Sequence, residues 1–281
     1  MAIRSRYLVP TVVLAAAALV VAPFVVRANK DTPVSTANAA TSTPAPSTAA
    51  PSTSAPRTPP APSRTCTKPD WTTTATDNVG EGRTYGQYYL HNNMWNNHNG
   101  TYTMSVCDYD NWYEDVTQPK PDDLGVQAYP NVHKDYDDAP LAKIQSADFA
   151  ATAPDCAGCI YNVAFDIWIN EGFENELMIW TQNSNQTPAG SNLGLTTIGG
   201  HQYEVWKTDG ADKPGGIFTY KSVRPQVAGT MPLQSFFKDL EARKWIPANS
   251  TTWQVDFGVE VVSTNNTKQR FTFTNFTLHE H

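Results

Sequence analysis

The 281-residue chain carries 20 basic and 27 acidic side chains, and they are unevenly spread. Residues 1–65 hold six of the basic residues and one acid, which leaves 14 against 26 and a formal charge of −12 on residues 66–281. That charge repels nucleic acid and anionic lipid, which argues against both as partners and leaves a neutral ligand unpenalised.

At the N-terminus, Arg4 and Arg6 precede an apolar run from Tyr7 to Val26, and Val26-Arg27-Ala28 ends it in the small-residue pattern that signal peptidase cuts. Residues 1–28 are therefore read as a signal peptide. The alternative is an uncleaved membrane anchor through residues 7–26, because the run approaches the ~20 residues that span a bilayer. Both readings put the rest of the chain outside the cell, secreted in the first case and membrane-tethered in the second. Residues 29–65 are dominated by Pro, Ala, Ser and Thr, which bury too little to offset ordering entropy, and they are read as a disordered linker. Residues 66–281 are expected to form one folded, monomeric domain, long enough to bury its own core.

Four cysteines fall in that domain, and an even count in an exported chain favours disulfides, expected as Cys66–Cys107 and Cys156–Cys159. A redox or zinc role for Cys156-Ala-Gly-Cys159 finds no second CxxC and no neighbouring His pair, so a clip at the mouth of a turn is preferred.

From Trp71 onward, Thr, Val, Tyr, Phe and Trp alternate between turns rich in Asn, Gly and Asp. Strands are expected at 102–107, 160–169, 176–180, 202–207, 216–223, 253–262 and 270–278. Leu233, Phe236, Phe237 and Leu240 follow a helical period. Many strands and one helix predict an all-β sandwich of two antiparallel sheets, with the helix packed on an outer face.

Two strands sort their residues informatively. Asn170-Glu171-Gly172 is read as a three-residue hairpin loop. That register sets Ile169 opposite Phe173 and Asp166 directly across from Glu176. Strand alternation then gives a core face of Phe165, Ile167, Ile169, Leu177 and Ile179, and an opposite face of Asp166, Trp168, Glu176, Met178 and Trp180. Likewise Trp253, Val255, Phe257, Val259 and Val261 point one way, while Gln254, Asp256, Gly258, Glu260 and Val262 point the other. Gly258 leaves room for a close approach to the backbone.

Paired carboxylates flanked by indole rings are the equipment of glycoside cleavage: one acid protonates the leaving oxygen, and the other attacks the anomeric carbon or activates water. Aromatic faces cover the apolar faces of sugar rings. Glu176-Leu177-Met178-Ile179-Trp180 resembles the nucleophile motif of glycoside hydrolase family 12, and the segment Tyr161–Trp168 resembles its companion strand. Phe257-Gly258-Val259-Glu260 is similar to the acid/base motif, and Asn92-Asn93-Met94-Trp95 to the early substrate-binding segment. Tyr129-Pro130, the run from Gly199 to Trp206 and the late helix follow in the same order.

The resemblance runs from about Cys66 to His281 and implies a β-jelly roll with a concave substrate cleft. It implies a retaining endo-β-1,4-glucanase that takes cellulose, mixed-linkage glucan or xyloglucan and needs no metal or cofactor. It assigns Glu176 as nucleophile, Glu260 as general acid/base and Asp166 as the carboxyl that hydrogen-bonds the nucleophile. Asn93 and Trp95 are the implied sugar contacts, with Met178 and Trp180 on the cleft floor. Retention implies glutamate carboxyls ~5–5.5 Å apart.

Three positions depart from the family pattern: Asn96 stands where Gly is usual, and Val261 and Val262 replace a Pro and an aromatic beside the acid/base. Asp256 is open to a substrate contact or a structural hydrogen bond. The six histidines, among them His91 and His133, show no metal-ligand spacing and are read as surface or loop residues. Glu171 and Glu174 are read as solubilising the hairpin. A xyloglucan hydrolase and a carbohydrate-binding sandwich without turnover are the competing readings.

Overall fold

The computed structural model describes residues 64–170, 175–210 and 216–281. The signal or anchor segment and most of the linker lie outside the described residues, as do Glu171 and Glu174. The first strands in chain order are β1 (Trp71–Ala75), β2 (Gly82–Tyr85), β3 (Tyr88–His91), β4 (Thr101–Asp108) and β5 (Asn111–Thr117). Next come β6 (Asn131–Pro140), β7 (Ile144–Thr152), β8 (Ile160–Ile169), β9 (Asn175–Ser184) and β10 (Ser191–Ile198). The last are β11 (His201–Lys207), β12 (Gly216–Ser222), β13 (Ala228–Met231), β14 (Thr251–Ser263) and β15 (Gln269–Glu280), with helix α1 (Leu233–Ala242) between β13 and β14.

These strands form a six-stranded sheet, β1-β4-β5-β15-β7-β13, packed on a nine-stranded sheet, β10-β11-β12-β9-β8-β14-β6-β3-β2. The two-sheet sandwich expected from composition is thus present, with one departure: β12 runs parallel to β9. The chain crosses from β9 to the sheet edge before β10. It then returns strand by strand, so that the third strand of the meander meets β9 pointing the same way.

Between the sheets, alternate residues of β8 and β14 bring Phe165 and Phe257 into contact at 4.5 Å. Phe149 of the smaller sheet meets both edge-on, and Phe273 and Phe276 close around Phe257. Truncating such a ring costs about 3–5 kcal/mol, so this cluster holds the middle of the nine-stranded sheet rigidly in place. Helix α1 buries Leu233, Phe236, Phe237 and Leu240. It does not lie on an outer face as expected. Phe236 packs edge-on against Tyr203 and Tyr220, both on the inner face of the larger sheet. Six strands cannot cover nine, and the helix extends the thinner layer beyond β13.

The hairpin register also differs from expectation. Ile169 pairs with Asn175, Trp168 with Glu176 and Asp166 with Met178, so the connection is two residues longer than a three-residue loop. Asn170 accounts for this: it adopts a left-handed φ of 64° and bonds through both its backbone N–H and its side-chain oxygen to Thr251 of β14. A slip of two keeps every side chain on its face, so the sorting into core and acidic faces survives. In β14 a bulge between Thr252 and Gln254 takes Trp253 out of the alternation and leaves it half-buried. Gly258 serves the neighbouring strand: a Cβ there would lie 2.2 Å from the Pro130 carbonyl oxygen.

One inward-facing residue has no place in an apolar core. Glu114 of β5 lies between Met104 and Phe271 in register, is fully buried, and neither of its oxygens has a hydrogen-bond partner. Burial holds its pKa well above the usual range, so folding requires proton uptake once the solution pH exceeds that of an ordinary glutamate. Wild-type stability therefore falls as pH rises from about 4.5 toward the folded-state pKa. Replacing Glu114 by Leu removes both the unpaired group and this linkage. Glu114→Leu is expected to gain about 1–3 kcal/mol at pH 7 and less at pH 4, read from thermal or urea unfolding at both pH values.

Candidate active site

The outer face of the nine-stranded sheet is where β9, β8 and β14 lie side by side. Alternation places Asn162, Ala164, Asp166 and Trp168 of β8 on it, with Glu176, Met178 and Trp180 of β9 on one side and Asp256 and Glu260 of β14 on the other. No further layer of described residues covers this face. Yet Asn162, Asp166, Met178, Trp180 and Asp256 are all buried, so the centre of the sheet is recessed.

The floor of the recess is apolar: Ala164, Met178 and Trp180 form a small cluster of their own, with Ile217 of β12 against it. Buried polar atoms without a protein partner belong to residues around the same face. They are Asn162 Oδ1, Asp166 Oδ1, Trp180 Nε1, Gln186 Oε1, Thr219 Oγ1 and Asp256 Oδ2. Buried polar atoms are normally paired, so their gathering over an apolar floor marks a surface built to meet a polar ligand that also has apolar faces, as a sugar ring does.

Four carboxyls share this recess. Asp166 is diagonal to Glu176 across the β8–β9 ladder and shares a hydrogen bond with it. Asp256 lies directly opposite Asp166 across the β8–β14 ladder. Glu260 sits opposite Asn162, whose Nδ2 donates to its Oε2, and Gln186 Nε2 donates to the same oxygen at 3.3 Å. Tyr129 is buried beside them, donating its hydroxyl to the Ala164 carbonyl at 3.0 Å, and the field of all four acids adds to the burial that holds its pKa high.

Burial pushes Glu176 up to about 8, and the charge of Glu260 adds to the rise, while the Asp166 hydrogen bond opposes it. Burial likewise pushes Glu260 up to about 6, opposed by Asn162 and Gln186. Taken singly, these values would put the shared proton on Glu176. The two groups interact, however, and the protons leave in two steps that belong to the pair. Between those steps the pair holds one proton, and its position follows the hydrogen bonds: an acceptor placed against Glu260 draws the proton there, while the Asp166 donor favours an ionised Glu176.

The remaining expected site residues lie around this centre. The Asn93 carbonyl accepts from the Tyr129 N–H, and Asn96 bonds Gln127 and Val126, which stitches the 93–96 segment to a stretch that pairs with Val261 next to Glu260. Trp95 is presented from that segment 44% exposed, an open aromatic face. Val261 is part of the apolar core, and Val262 is buried. Cys156 is joined to Cys159 (Cα–Cα 5.5 Å), and Ser184 and Asn185 both donate to the Cys159 carbonyl, which ties the approach to β8 to the segment carrying Gln186. Cys66 is joined to Cys107 (Cα–Cα 5.6 Å), pinning the start of the domain to β4.

The reading of His91 and His133 as surface or loop residues is corrected. Strands β3 and β6, not anticipated from the sequence, carry both on the recessed face. His133 is buried there, with its Nδ1 3.3 Å from Asp256 Oδ1 and 2.8 Å from Asn131 Oδ1. Burial pushes His91 down to about 4. Asn162 was within reach of the sequence, since it lies four residues before Asp166 on the same face. Gln186 was not, because only the turn after β9 brings it to Glu260.

Comparison with known proteins adds three findings. The profile of "Glycosyl hydrolase family 12" matches residues 86–279. Endoglucanase S of Pectobacterium parmentieri is 23% identical over 209 residues, covering 62% of this chain and 76% of its own length. Among solved structures, the native family 12 xyloglucanase from Bacillus licheniformis superposes with a TM-score of 0.65 at 20% identity, over 75% of this chain and 100% of its own. Endoglucanase cel12A from Rhodothermus marinus gives 0.64 at 20% identity, over 75% and 99%. At these identities the superpositions speak for the fold.

The carboxyl geometry carries its own prediction. Carboxyl carbon NMR of the wild type should show Glu176 and Glu260 titrating together in two steps near 8 and 6. In Glu260→Gln, the step of Glu176 should move to lower pH, because the neighbouring charge that raises it is gone.

Proposed function

The chain belongs to glycosyl hydrolase family 12, and from that premise we propose that it hydrolyses internal β-1,4-glucosidic bonds of a glucan with retention of configuration. The observation that carries the reading is the recessed face itself, where Glu176 and Glu260 flank Asp166 over an apolar floor lined with unpaired polar atoms. A binding module without turnover needs an apolar platform and hydrogen-bonding groups, but no buried acids at raised pKa.

In the proposed cycle a glucan chain lies along the recess. Glu260, protonated, gives its proton to the glycosidic oxygen as that bond breaks. Ionised Glu176 attacks the anomeric carbon, forming a covalent glycosyl-enzyme. Glu260 then takes a proton from water, which releases the sugar and restores both groups. The glycosidic oxygen is the acceptor that draws the shared proton to Glu260, so substrate binding sets the protonation the reaction requires. Asp166 donates to Glu176 throughout. Trp95 offers a stacking face to a glucosyl ring, and Trp180 Nε1 offers a donor from the floor.

Cellulose-like chains are the leading substrate class. Xyloglucan is the second reading, favoured by Val261 and Val262, which put no aromatic side chain directly after Glu260 where a branched chain would have to pass. The proposed site of action is outside the cell, supported by the export-type segment of residues 1–28 and by two disulfides.

Reducing-sugar release from carboxymethyl cellulose, mixed-linkage glucan and xyloglucan tests the reading. Wild type is expected to release sugar, and Glu176→Gln and Glu260→Gln are each expected to lose at least about 10²–10⁴-fold in kcat. Activity retained by either variant would sink the assignment, and binding without release by wild type would favour a non-catalytic module. Proton NMR of the first product should show the β-anomer; an α-anomer contradicts the nucleophile role of Glu176. The pH dependence of kcat/KM should be bell-shaped with limbs near 6 and 8: below the first both glutamates are protonated and the nucleophile is lost, above the second both are ionised and the acid is lost.

A further inference from the structure

Asp256 and Asp166 face each other directly across the β8–β14 ladder, both buried, and each has one oxygen without a protein partner. Two carboxylates so placed cannot both stay ionised, because like charges opposite each other in a dry site repel strongly. Their surroundings break the tie. His133 Nδ1 lies 2.8 Å from Asn131 Oδ1, and the Asn131 amide nitrogen donates to the Tyr129 carbonyl, which fixes its oxygen as the acceptor. The hydrogen-bond pattern therefore assigns a proton to His133 Nδ1. That N–H also faces Asp256 Oδ1 at 3.3 Å.

Among the described residues, Asp166 has no such imidazole beside it. Its hydrogen-bond partner is the Glu176 carboxyl, an acceptor when ionised. We infer that Asp256, anchored by His133, is a positioning residue that keeps the proton of the aspartate pair on Asp166, so that Asp166 acts as a donor and Glu176 remains the ionised nucleophile. Across β14, β8 and β9 the charges then alternate, with Asp256 ionised, Asp166 protonated and Glu176 ionised, while Glu260 on β14 is protonated. Each ionised group has protonated neighbours, the arrangement with least repulsion.

The groups that face this pair act in the same direction. From β9 the charge of Glu176 holds the proton on Asp166, together with its burial and the charge of Asp256, and Glu260 of β14 adds to this only when it is ionised. From β6, Asp135 opposes ionisation of Asp256, but His133 on the same strand favours it. His91 of β3, beyond His133, stays neutral above about 4 and adds no charge. Tyr129 is buried and keeps its proton.

The inference rests on the hydrolytic reading above, and the experiment separates the two. Sugar release by wild type and its loss in Glu176→Gln decide the reading itself. With those in hand, Asp256→Asn removes the charge that holds the proton on Asp166, so Asp166 ionises at lower pH. The alkaline limb of kcat is then expected to move down by about one pH unit or more, with KM little changed and activity regained on acidification. Asp256 also raises Glu176, so the limb moves down through either group, and the infrared readout on Asp166 separates the two routes.

A structural role alone would lower kcat evenly at every pH, and that result overturns the proposal. Infrared difference spectra of wild type against Asp166→Asn provide a readout that needs no activity. A carboxylic-acid C=O band from Asp166 should be present at neutral pH and should disappear at lower pH in Asp256→Asn than in wild type. Its absence from wild type at neutral pH overturns the proposal, and Asp256→Ser serves as the second variant if Asp256→Asn does not fold.

Discussion

The ladder that joins β9, β8 and β14 is the interaction on which the rest of the molecule depends. Inward, it delivers Phe165 and Phe257 to the ring cluster that locks the two sheets together. Outward, the same hydrogen bonds set Asp166 between Asp256 and Glu176 and bring Glu260 onto their face. Strand alternation makes these inseparable: a slip by one residue in any of the three strands would send carboxyls into the core and phenylalanines to solvent. The register of the site is thus defended by the whole apolar core.

That arrangement places acids where burial is expensive. Solvation lost at Glu176, Glu260, Asp166 and Asp256 raises all four, and the repulsion among them is relieved by sharing protons rather than by pairing with cations. The donors nearby are neutral amides and an imidazole: Asn162, Gln186 and His133. An arginine or lysine in their place would hold the carboxyls ionised and abolish the acid. Glu114 is buried in the other layer with no donor among the described residues, and there burial raises the pKa first and the charge of Asp115 adds to it.

The edges of the site are made differently from its centre. Strand geometry places the acids, whereas Trp95, Gln186 and the end of β14 are placed by turns. The 93–96 segment is stitched to residues 126–129, and the Cys156–Cys159 clip holds Ser184 and Asn185 beside Gln186. The carboxyls therefore sit on the stiffest part of the fold, and Trp95 and Gln186 sit on loops, where substitution costs the core least.

By itself the sequence determined which residues share a face. A strand repeats every two residues whatever its neighbours, so Asp166, Glu176 and the stretch of β14 from Gln254 to Val261 could be sorted without knowing their partners, and an error of two in the hairpin register left that sorting intact, whereas the bulge at Trp253 was not legible. Helix α1 was legible for the same reason, from the 3.6-residue spacing of Leu233, Phe236, Phe237 and Leu240. Strands β3 and β6 were not, because their polar outer residues, half-buried His91 and buried Asn131 and His133, are covered only by the recess that the assembled sheet creates. The adjacency of β8 and β14, the opposition of Asp256 to Asp166, the reach of Gln186 to Glu260 and the place of the helix are tertiary decisions. They depend on pairings between residues far apart in the chain, and no local period encodes them.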